Sequence, residues 1–531
     1  MKKYESKHRA WLVWALFAVL ISTVSAVVLQ FFKGQVLDHA IAGNGLTTLR
    51  SGLLLISFIL LEVLAFYVYK RLSFRFSADC FKELKEDIFN SFLSRNYVTF
   101  KERQQGEYTA KYTQDADAIR VRRFGMLPLL WEILLKIIFV SAALFWLDWR
   151  VALITIAMLT TPLYVPKLIE SRLQQAQTEQ LKAAEDALVK LNDWLNGFEV
   201  IKNFSIEARI MRQFRNVNDR AAQKLLADMG LSALAQLLTT LISYLSYFAV
   251  LAFSAWLVLM GNFTAGEFFV AIGMIDQLSY PLISLAEILR QLISIRPACR
   301  EMEQFLHEAP TQPVAQRACE VRRAITWQDV TFGYQPERQL LNQFNLTMKK
   351  GGRYLLRGPS GSGKTTVVNL LMKYYNPRIG TILIDDTPIE KLDSTYGYVT
   401  VVRQDAVLFH DSLRDNLTMY GNIPEEQLIS ILEAVGLHQF ASTQGLDMML
   451  TEGGDNLSGG EKKRISLARA LLRSTDVLIL DEPLANLDPN TAQRIEDLML
   501  SFTDRTVLVV SHQFSQEKLS AFTEVVDLQP A

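Results

Sequence analysis

The chain has 531 residues, half of them hydrophobic, and its 55 Lys and Arg balance 55 Asp and Glu. That length predicts two or more domains, and a charge balance with no basic surplus gives no ground for a nucleic-acid partner. The long apolar runs are gathered ahead of residue 300, which predicts a membrane domain followed by a soluble one.

No secretory signal is expected, because the apolar run after MKKYESKHRA is too long for a signal peptide's core and no small-residue cleavage site closes it. Six spans are predicted, over Trp11–Phe32, Gly52–Tyr69, Leu127–Leu147, Val151–Leu168, Gly230–Leu259 and Glu267–Ile293, each near the ~20 residues a bilayer requires or somewhat longer. The fourth is interrupted by Pro162 and Pro166. Basic residues crowd the start (Lys2, Lys3, Lys7, Arg9) and the segment between spans two and three, whereas the links DWR (148–150) and MGNFTAG (260–266) are nearly bare of them. The positive-inside bias therefore predicts a multi-pass protein of a cell membrane, expected to be bacterial, with both termini in the cytoplasm.

The cytoplasmic segments 70–126 and 169–229 are poor in Gly and Pro and read as amphipathic helix, which predicts transmembrane helices that continue well beyond the bilayer. Each is broken near its middle, at FKERQQGEY (100–108) and LNGFEV (195–200), where a transverse helix could touch a soluble domain. Cys80, Cys299 and Cys319 fall in cytoplasmic stretches with no metal or redox spacing and are expected to be reduced, inert side chains.

Charges within the spans are Glu62, Glu132, Lys136, Asp276 and Glu287. Charge in hydrocarbon is costly and usually faces an interior or an aqueous cavity. Glu132 and Lys136, four apart on one helix, either neutralise each other or line a pathway. Asp276 has no local partner and is the better candidate for a polar pathway, and Pro281 one turn on is expected to kink its helix.

From about Val321 short apolar strands separated by turns replace the long runs. GPSGSGKTT (Gly358, Pro359, Ser360, Gly361, Ser362, Gly363, Lys364, Thr365, Thr366) follows a predicted strand, RYLLR, and precedes a predicted helix. In that context the glycines let the backbone wrap phosphates, Lys364 reaches the β and γ phosphates, and the Thr365 hydroxyl ligates Mg²⁺. VLILDEP (477–483) predicts a buried parallel strand delivering Asp481 toward that magnesium, followed by Glu482 to polarise an attacking water. A second anion site is predicted where NLSGGEKKR opens a helix with small residues, since free N–H groups and the positive dipole end point out of it.

Taken in order, these motifs resemble the nucleotide-binding domain of ATP-binding cassette (ABC) transporters over about 200 residues. The resemblance implies that Tyr334, in VTFGY, stacks on adenine and that Gln404, in VVRQD, contacts Mg²⁺ and senses the membrane domain. It also implies that Leu457, Ser458, Gly459, Gly460 and Glu461 are the signature and that His512, in VVSHQ, contacts the γ-phosphate. In the family two cassettes pair head to tail and each signature completes the partner's ATP site, which accounts for two phosphate sites in one domain. The six spans, together with YTQDADAIR (112–120), GFEVIKNFSIEAR (197–209) and GNFTAGEFF (261–269), resemble the exporter-type half-transporter, and Glu452 matches an acidic residue implied in coupling.

Three features depart from the family: Glu461 in place of the commoner Gln, PLANLD after Glu482, and an end at VVDLQPA that leaves the usual final strands and helix largely missing. The first two leave the hydrolytic residues intact; the third bears on cassette pairing.

The expected architecture is an all-α six-span transmembrane domain with long cytoplasmic helical extensions (1–309), a linker (310–320) and an α/β P-loop ATPase domain (321–531). The expected function is ATP-driven transport with ATP and Mg²⁺ as cofactors, by a dimer with a second half-transporter chain, identical or different, among membrane lipid. Spans rich in Phe, Leu, Tyr and Trp suit a peptide, lipid or hydrophobic small molecule as substrate. Alternatives are an exporter-fold importer of a siderophore- or haem-like compound and an ATP-gated regulatory membrane protein; intact Glu482 and His512 disfavour the last, since gating alone needs only binding.

Overall fold

The structure, a computed structural model, describes residues 1–161, 170–308, 320–335, 338–392, 394–485, 487–512 and 514–529. Pro162, Pro166, Cys319 and nearly all of the predicted linker lie outside them. The chain divides into two compact units, one of Met1–Leu93 with Gln104–Ala309 and one of Ser94–Arg103 with Pro310–Ala531.

The first unit is helical. Among the described residues five helices are long and apolar enough to cross a membrane: Arg9–Ile41, Gly45–Ser94, Gln105–Leu147, Glu207–Leu259 and Ala265–His307. At 50 residues, Gly45–Ser94 extends about 75 Å at 1.5 Å per residue, more than twice the ~30 Å hydrocarbon core. The excess is the extension foreseen from its charged C-terminal half. The fourth predicted span is described only as the shorter helix Trp149–Thr160, whose N-cap Asp148 accepts from the N–H groups of Arg150 and Val151. Gly197 separates Glu170–Asn196 from Phe198–Asn203, as the break at LNGFEV predicts. The YTQDADAIR stretch lies between and within two single π-helical turns, Lys111–Asp115 and Arg120–Phe124.

Helix Arg9–Ile41 packs on Ala265–Ser294 through glycines. A Cβ on Gly34 would come within 2.5 Å of Val270 Cγ2, and one on Gly266 within 2.4 Å of the Gly34 carbonyl oxygen, so a larger residue at either position must push the helices apart. At the same junction Asp38 accepts from Gly266 N (2.7 Å) and Thr264 Oγ1 (2.8 Å), while Thr264 and Glu267 form a capping box.

The charges in the spans separate. Glu132 is buried and takes Lys136 Nζ at 2.8 Å, as the local spacing allows, but also Lys70 Nζ at 3.1 Å. The predicted pair is therefore part of a triad, whose third member comes from another helix and was invisible to sequence spacing. Asp276 is exposed and makes no ion pair among the described residues. Pro281 is buried inside the helix Ala265–Ser294. Cys80 and Cys299 are buried free thiols.

The second unit contains two sheets. Four strands, in the order β2 (Leu341–Lys349), β1 (Ala324–Phe332), β4 (Ile379–Ile384) and β5 (Thr387–Pro388), pair antiparallel. Five pair in parallel in the order β6 (Val399–Val402), β7 (Val477–Asp481), β8 (Thr506–Val510), β3 (Arg353–Arg357) and β9 (Glu524–Asp527). Every residue of β7 and β8 is buried, which explains their unbroken apolar runs: strands covered on both faces have no solvent side to alternate toward. In-register parallel pairing places Leu356, Val510 and Asp481 side by side at the C-terminal ends of three adjacent strands. The loops leaving β3, β8 and β7 therefore emerge side by side, where ligands of open parallel sheets bind.

Candidate functional site

The loop after β3 cannot be built from other residues. Gly358 has φ 151°, and a Cβ there would meet the Leu528 carbonyl oxygen at 2.4 Å and Ser362 Oγ at 2.6 Å. Gly361 and Gly363 adopt φ 83° and 93°, the region glycine enters without strain. Lys364 begins the helix Lys364–Leu371, and its buried side chain turns back to donate from Nζ to the carbonyls of Gly358 (2.7 Å) and Pro359 (2.9 Å). An ammonium held by two carbonyls over an opened row of N–H groups forms a cradle for an anion.

β7 brings the acidic pair to this loop. Thr365 Oγ1 donates to Asp481 Oδ2 at 3.5 Å, and Arg403 Nη1 lies 3.9 Å from the same oxygen. Burial pushes the Asp481 carboxyl above the usual range, against the opposing pull of Arg403. Glu482 is buried and sits at φ 51°, a costly conformation for a non-glycine residue. Its N–H bonds to the Val510 carbonyl at 2.8 Å, so neighbouring strand β8 holds the strain in place. Burial raises the Glu482 carboxyl too, and His512 opposes the rise. His512 Nδ1 lies 3.0 Å from Glu482 Oε1 on a half-exposed ring.

Tyr334, Ser360, Gly361, Gly363, Lys364, Thr365, Thr366, Gln404, Asp481, Glu482 and His512 line one cleft of about 640 Å³. Tyr334 is half exposed, set edge-on against Phe332 (5.1 Å) and Tyr375 (5.0 Å), with its hydroxyl 3.3 Å from Thr366 Oγ1. One wall is thus aromatic, the floor is a phosphate cradle, and the far end is acidic. The oxygen donors Thr365, Asp481 and Gln404 suit a hard divalent cation, which binds through few protein oxygens when phosphates supply the rest.

The signature residues are elsewhere. None of Leu457, Ser458, Gly459, Gly460 and Glu461 lines that cleft. Leu457 is buried, Ser458 and Gly459 are exposed, and a Cβ on Gly459 would meet nothing within 4 Å. Ser458 is the N-cap of Gly459–Leu472 in a capping box with Glu461. Glu461 Oε2 accepts from Ser458 N (2.8 Å) and Ser458 Oγ (2.7 Å), and Oε1 from Gln439 Nε2 (2.8 Å). These bonds, the Ser458 hydroxyl's first, hold the Glu461 carboxyl below its ordinary range. Glu452 is exposed at the start of the turn Glu452–Gly454, where Gly453 and Gly454 adopt φ 64° and 70°.

Motif reading passed over Arg403, Asn369 and Lys463. Arg403 precedes Gln404 and donates from Nη2 to Asn369 Oδ1 at 2.8 Å, while Asn369 Nδ2 donates to the Tyr334 hydroxyl at 3.4 Å. Lys463, buried in the signature helix, donates to the Ala485 carbonyl (3.2 Å) in the loop after Glu482. The only cue in the sequence was adjacency to a recognised motif.

The class of protein that this arrangement defines is a P-loop ATPase joined to a helical membrane unit, and comparison with known proteins makes it particular. The family model described as ABC transporter transmembrane region matches residues 12–282, and the one described as ABC transporter matches residues 341–485. The chain belongs to the ABC transporters, in which ATP hydrolysis drives transport across a membrane. It is 27% identical to the putative multidrug export ATP-binding/permease protein YgaD of Bacillus subtilis (strain 168), over 97% of this chain and 92% of that one. It is 26% identical to an ATP-dependent lipid A-core flippase of Syntrophus aciditrophicus (strain SB), over 82% of this chain and 73% of that one. In fold it is similar to a bacterial Atm1-family ABC exporter solved with ATP bound, with a TM-score of 0.79 and 24% identity, over 98% of this chain and 94% of that chain. The chain is thus a multi-pass membrane ABC transporter whose fold is similar to that of an exporter.

Proposed function

We propose that the chain is a half-transporter that works as a dimer, identical or mixed, and exports an amphipathic substrate: a hydrophobic small molecule, a lipid or an apolar peptide. The observation that carries the dimer is the position of the signature. Ser458, Gly459 and Gly460 open a helix N-terminus toward solvent, outside the cleft that holds Lys364 and Glu482. An anion site so placed acts on a nucleotide only if that nucleotide is held by another chain.

Within the proposed site Tyr334 stacks on adenine, and Gly358–Thr366 hold the phosphates. Thr365, Asp481 and Gln404 would hold Mg²⁺, which would supply charge neutralisation to the phosphates. Glu482 orients and deprotonates the attacking water, and the raised affinity of its buried carboxyl for a proton suits that task. His512, whose Nδ1 lies 3.0 Å from Glu482 Oε1, keeps Nε2 for the γ-phosphate. Residues 1–309 form the membrane part apart from Ser94–Arg103, residues 310–320 link, and residues 321–531 form the cassette, with both termini cytoplasmic in a bacterial plasma membrane. The relatives named for multidrug export and lipid A-core flipping support an amphipathic substrate.

The test is ATP-dependent accumulation of a lipophilic fluorescent cation and of a fluorescent phospholipid in inside-out vesicles, with native mass spectrometry of the purified chain. Export predicts uptake that Glu482→Gln abolishes, from a species of twice the chain's mass. A monomer with full ATPase activity, or loss of preloaded probe on adding ATP, overturns the reading.

A further inference from the structure

The segment Ser94–Arg103 belongs to the same compact unit as the nucleotide cleft, although the chain on either side of it belongs to the membrane unit. It forms the helix Tyr97–Lys101, capped by the Asn96 side chain accepting from Thr99 N. The Tyr97 ring stacks on Tyr374, with centroids 4.2 Å apart and planes 19° from parallel. The Arg403 guanidinium lies 5.6 Å from the Tyr374 ring centroid, a cation–π contact. From there its two terminal nitrogens diverge: Nη2 donates to Asn369, which bonds the Tyr334 hydroxyl, and Nη1 stands 3.9 Å from Asp481 Oδ2. One side chain thus touches the ring under the docked helix, the residue that reaches the aromatic wall, and the acid proposed to hold the metal.

We propose that Arg403 is a positioning residue through which the docked Tyr97–Lys101 helix sets the Asp481 carboxylate, competing with the divalent cation for it. The inference rests on the metal reading of Asp481 above. The planar, always-charged fork suits the role: it stacks on one partner while bonding a second and facing a third in fixed directions, which an ammonium cannot do. At 3.9 Å from Asp481, Arg403 pairs without a direct hydrogen bond, so a small shift of Tyr374 changes that charge–charge distance by a large fraction. Because Ser94–Arg103 is covalently joined at both ends to long membrane helices, a displacement of either helix reaches Asp481 through two stacked contacts. Arg403 touches no reacting atom, and its effect falls on the metal ligand and not on the phosphate cradle.

The test is metal affinity, read apart from turnover. On the purified full chain in nanodiscs, Mn²⁺ binding is titrated by electron paramagnetic resonance with a non-hydrolysable ATP analogue, and analogue binding is measured separately in chelator. Arg403→Gln is expected to tighten Mn²⁺ roughly threefold to tenfold, the size of a partly exposed charge contact, with metal-free nucleotide affinity unchanged. Arg403→Lys, which keeps the charge but not the fork, should keep Mn²⁺ affinity closer to wild type than Arg403→Gln does and still lose the response to Tyr97→Ala. Tyr97→Ala should shift Mn²⁺ affinity in the wild-type chain and not in Arg403→Gln, because neighbours acting through one link do not add. Tyr374→Leu should abolish the Tyr97 effect in the same way and serves if Arg403→Gln folds poorly. Additive effects, or unchanged Mn²⁺ affinity in Arg403→Gln, overturn the proposal alone. Failure of the wild-type chain to bind Mn²⁺ with nucleotide overturns the metal reading of Asp481 and this proposal with it.

Discussion

Glu482 concentrates what the site requires of a single residue. Its backbone is held at φ 51°, its carboxylate is buried, and its ion-pair neighbour, His512, is half exposed. Glu482→Gln keeps the shape and removes the proton acceptor, so ATP binding should persist while turnover falls roughly 10²–10⁴-fold. ATPase above about a tenth of wild type would give the water-activating role to another group. The pH dependence follows from the same burial. A carboxyl whose proton affinity is raised loses its ionised, active form at a higher pH than an unperturbed glutamate, near 4.3, does. The acid limb of the pH–rate profile should therefore lie above that value. His512→Gln removes the group that opposes the rise, so it should slow the reaction and move the limb higher still. For stability the sign is opposite: the contribution of Glu482 is greatest below its unfolded value and is lost as pH rises through its folded one.

At the scale of elements, the signature helix sets a capping role beside a proposed nucleotide role for one residue. Ser458 caps Gly459–Leu472, and Glu461 answers it in the capping box. Ser458→Ala removes the acceptor for Glu461 N and should lower stability by ~1 kcal/mol, read from chemical denaturation. Ser458→Asn restores a capping oxygen and hence the stability. If the hydroxyl also serves a nucleotide in the partner, Ser458→Asn leaves ATPase impaired; recovery of both would reduce the motif to a helix start. Elements of this kind were legible because local rules write them. The phosphate loop needs glycines at positive φ, β7 and β8 need unbroken apolar runs, and caps need Ser, Asp or Thr at fixed offsets. Five of the six predicted membrane helices were legible from length and hydropathy, though Gly45–Ser94 joined a span and its extension without a seam. What stayed hidden depends on residues far apart in sequence. Lys70 joining Glu132 and Lys136 follows from helix packing, and Arg403 between Tyr374 and Asp481 follows from strand order. No spacing within one segment encodes either.

On the scale of the whole molecule, the cleft of one chain contains Lys364 and Glu482 but none of the signature, and the proposed dimer makes a complete site a property of two chains. Lys364→Ala removes the ammonium held by Gly358 and Pro359 and should weaken nucleotide binding in a direct assay, with Ser458→Ala leaving it nearly intact. Each variant alone should be inactive as a homodimer, because both of its composite sites carry the defect. Mixed, they behave differently. In a head-to-tail pair of one Lys364→Ala chain and one Ser458→Ala chain, the damaged phosphate loop faces the damaged signature. Both defects then fall on one site, and the other is built from two intact halves. Each mixed dimer should regain about half of the wild-type ATPase rate, and a randomly paired equal mixture about a quarter, if sites turn over independently. The control is a wild-type chain paired with either variant, which also has one intact site. If that control is active and the double-variant mixture stays dead, each chain hydrolyses ATP within its own cleft and the shared site is refuted. Where the physiological partner is a different chain, the two substitutions are divided between the two polypeptides and the same comparison decides.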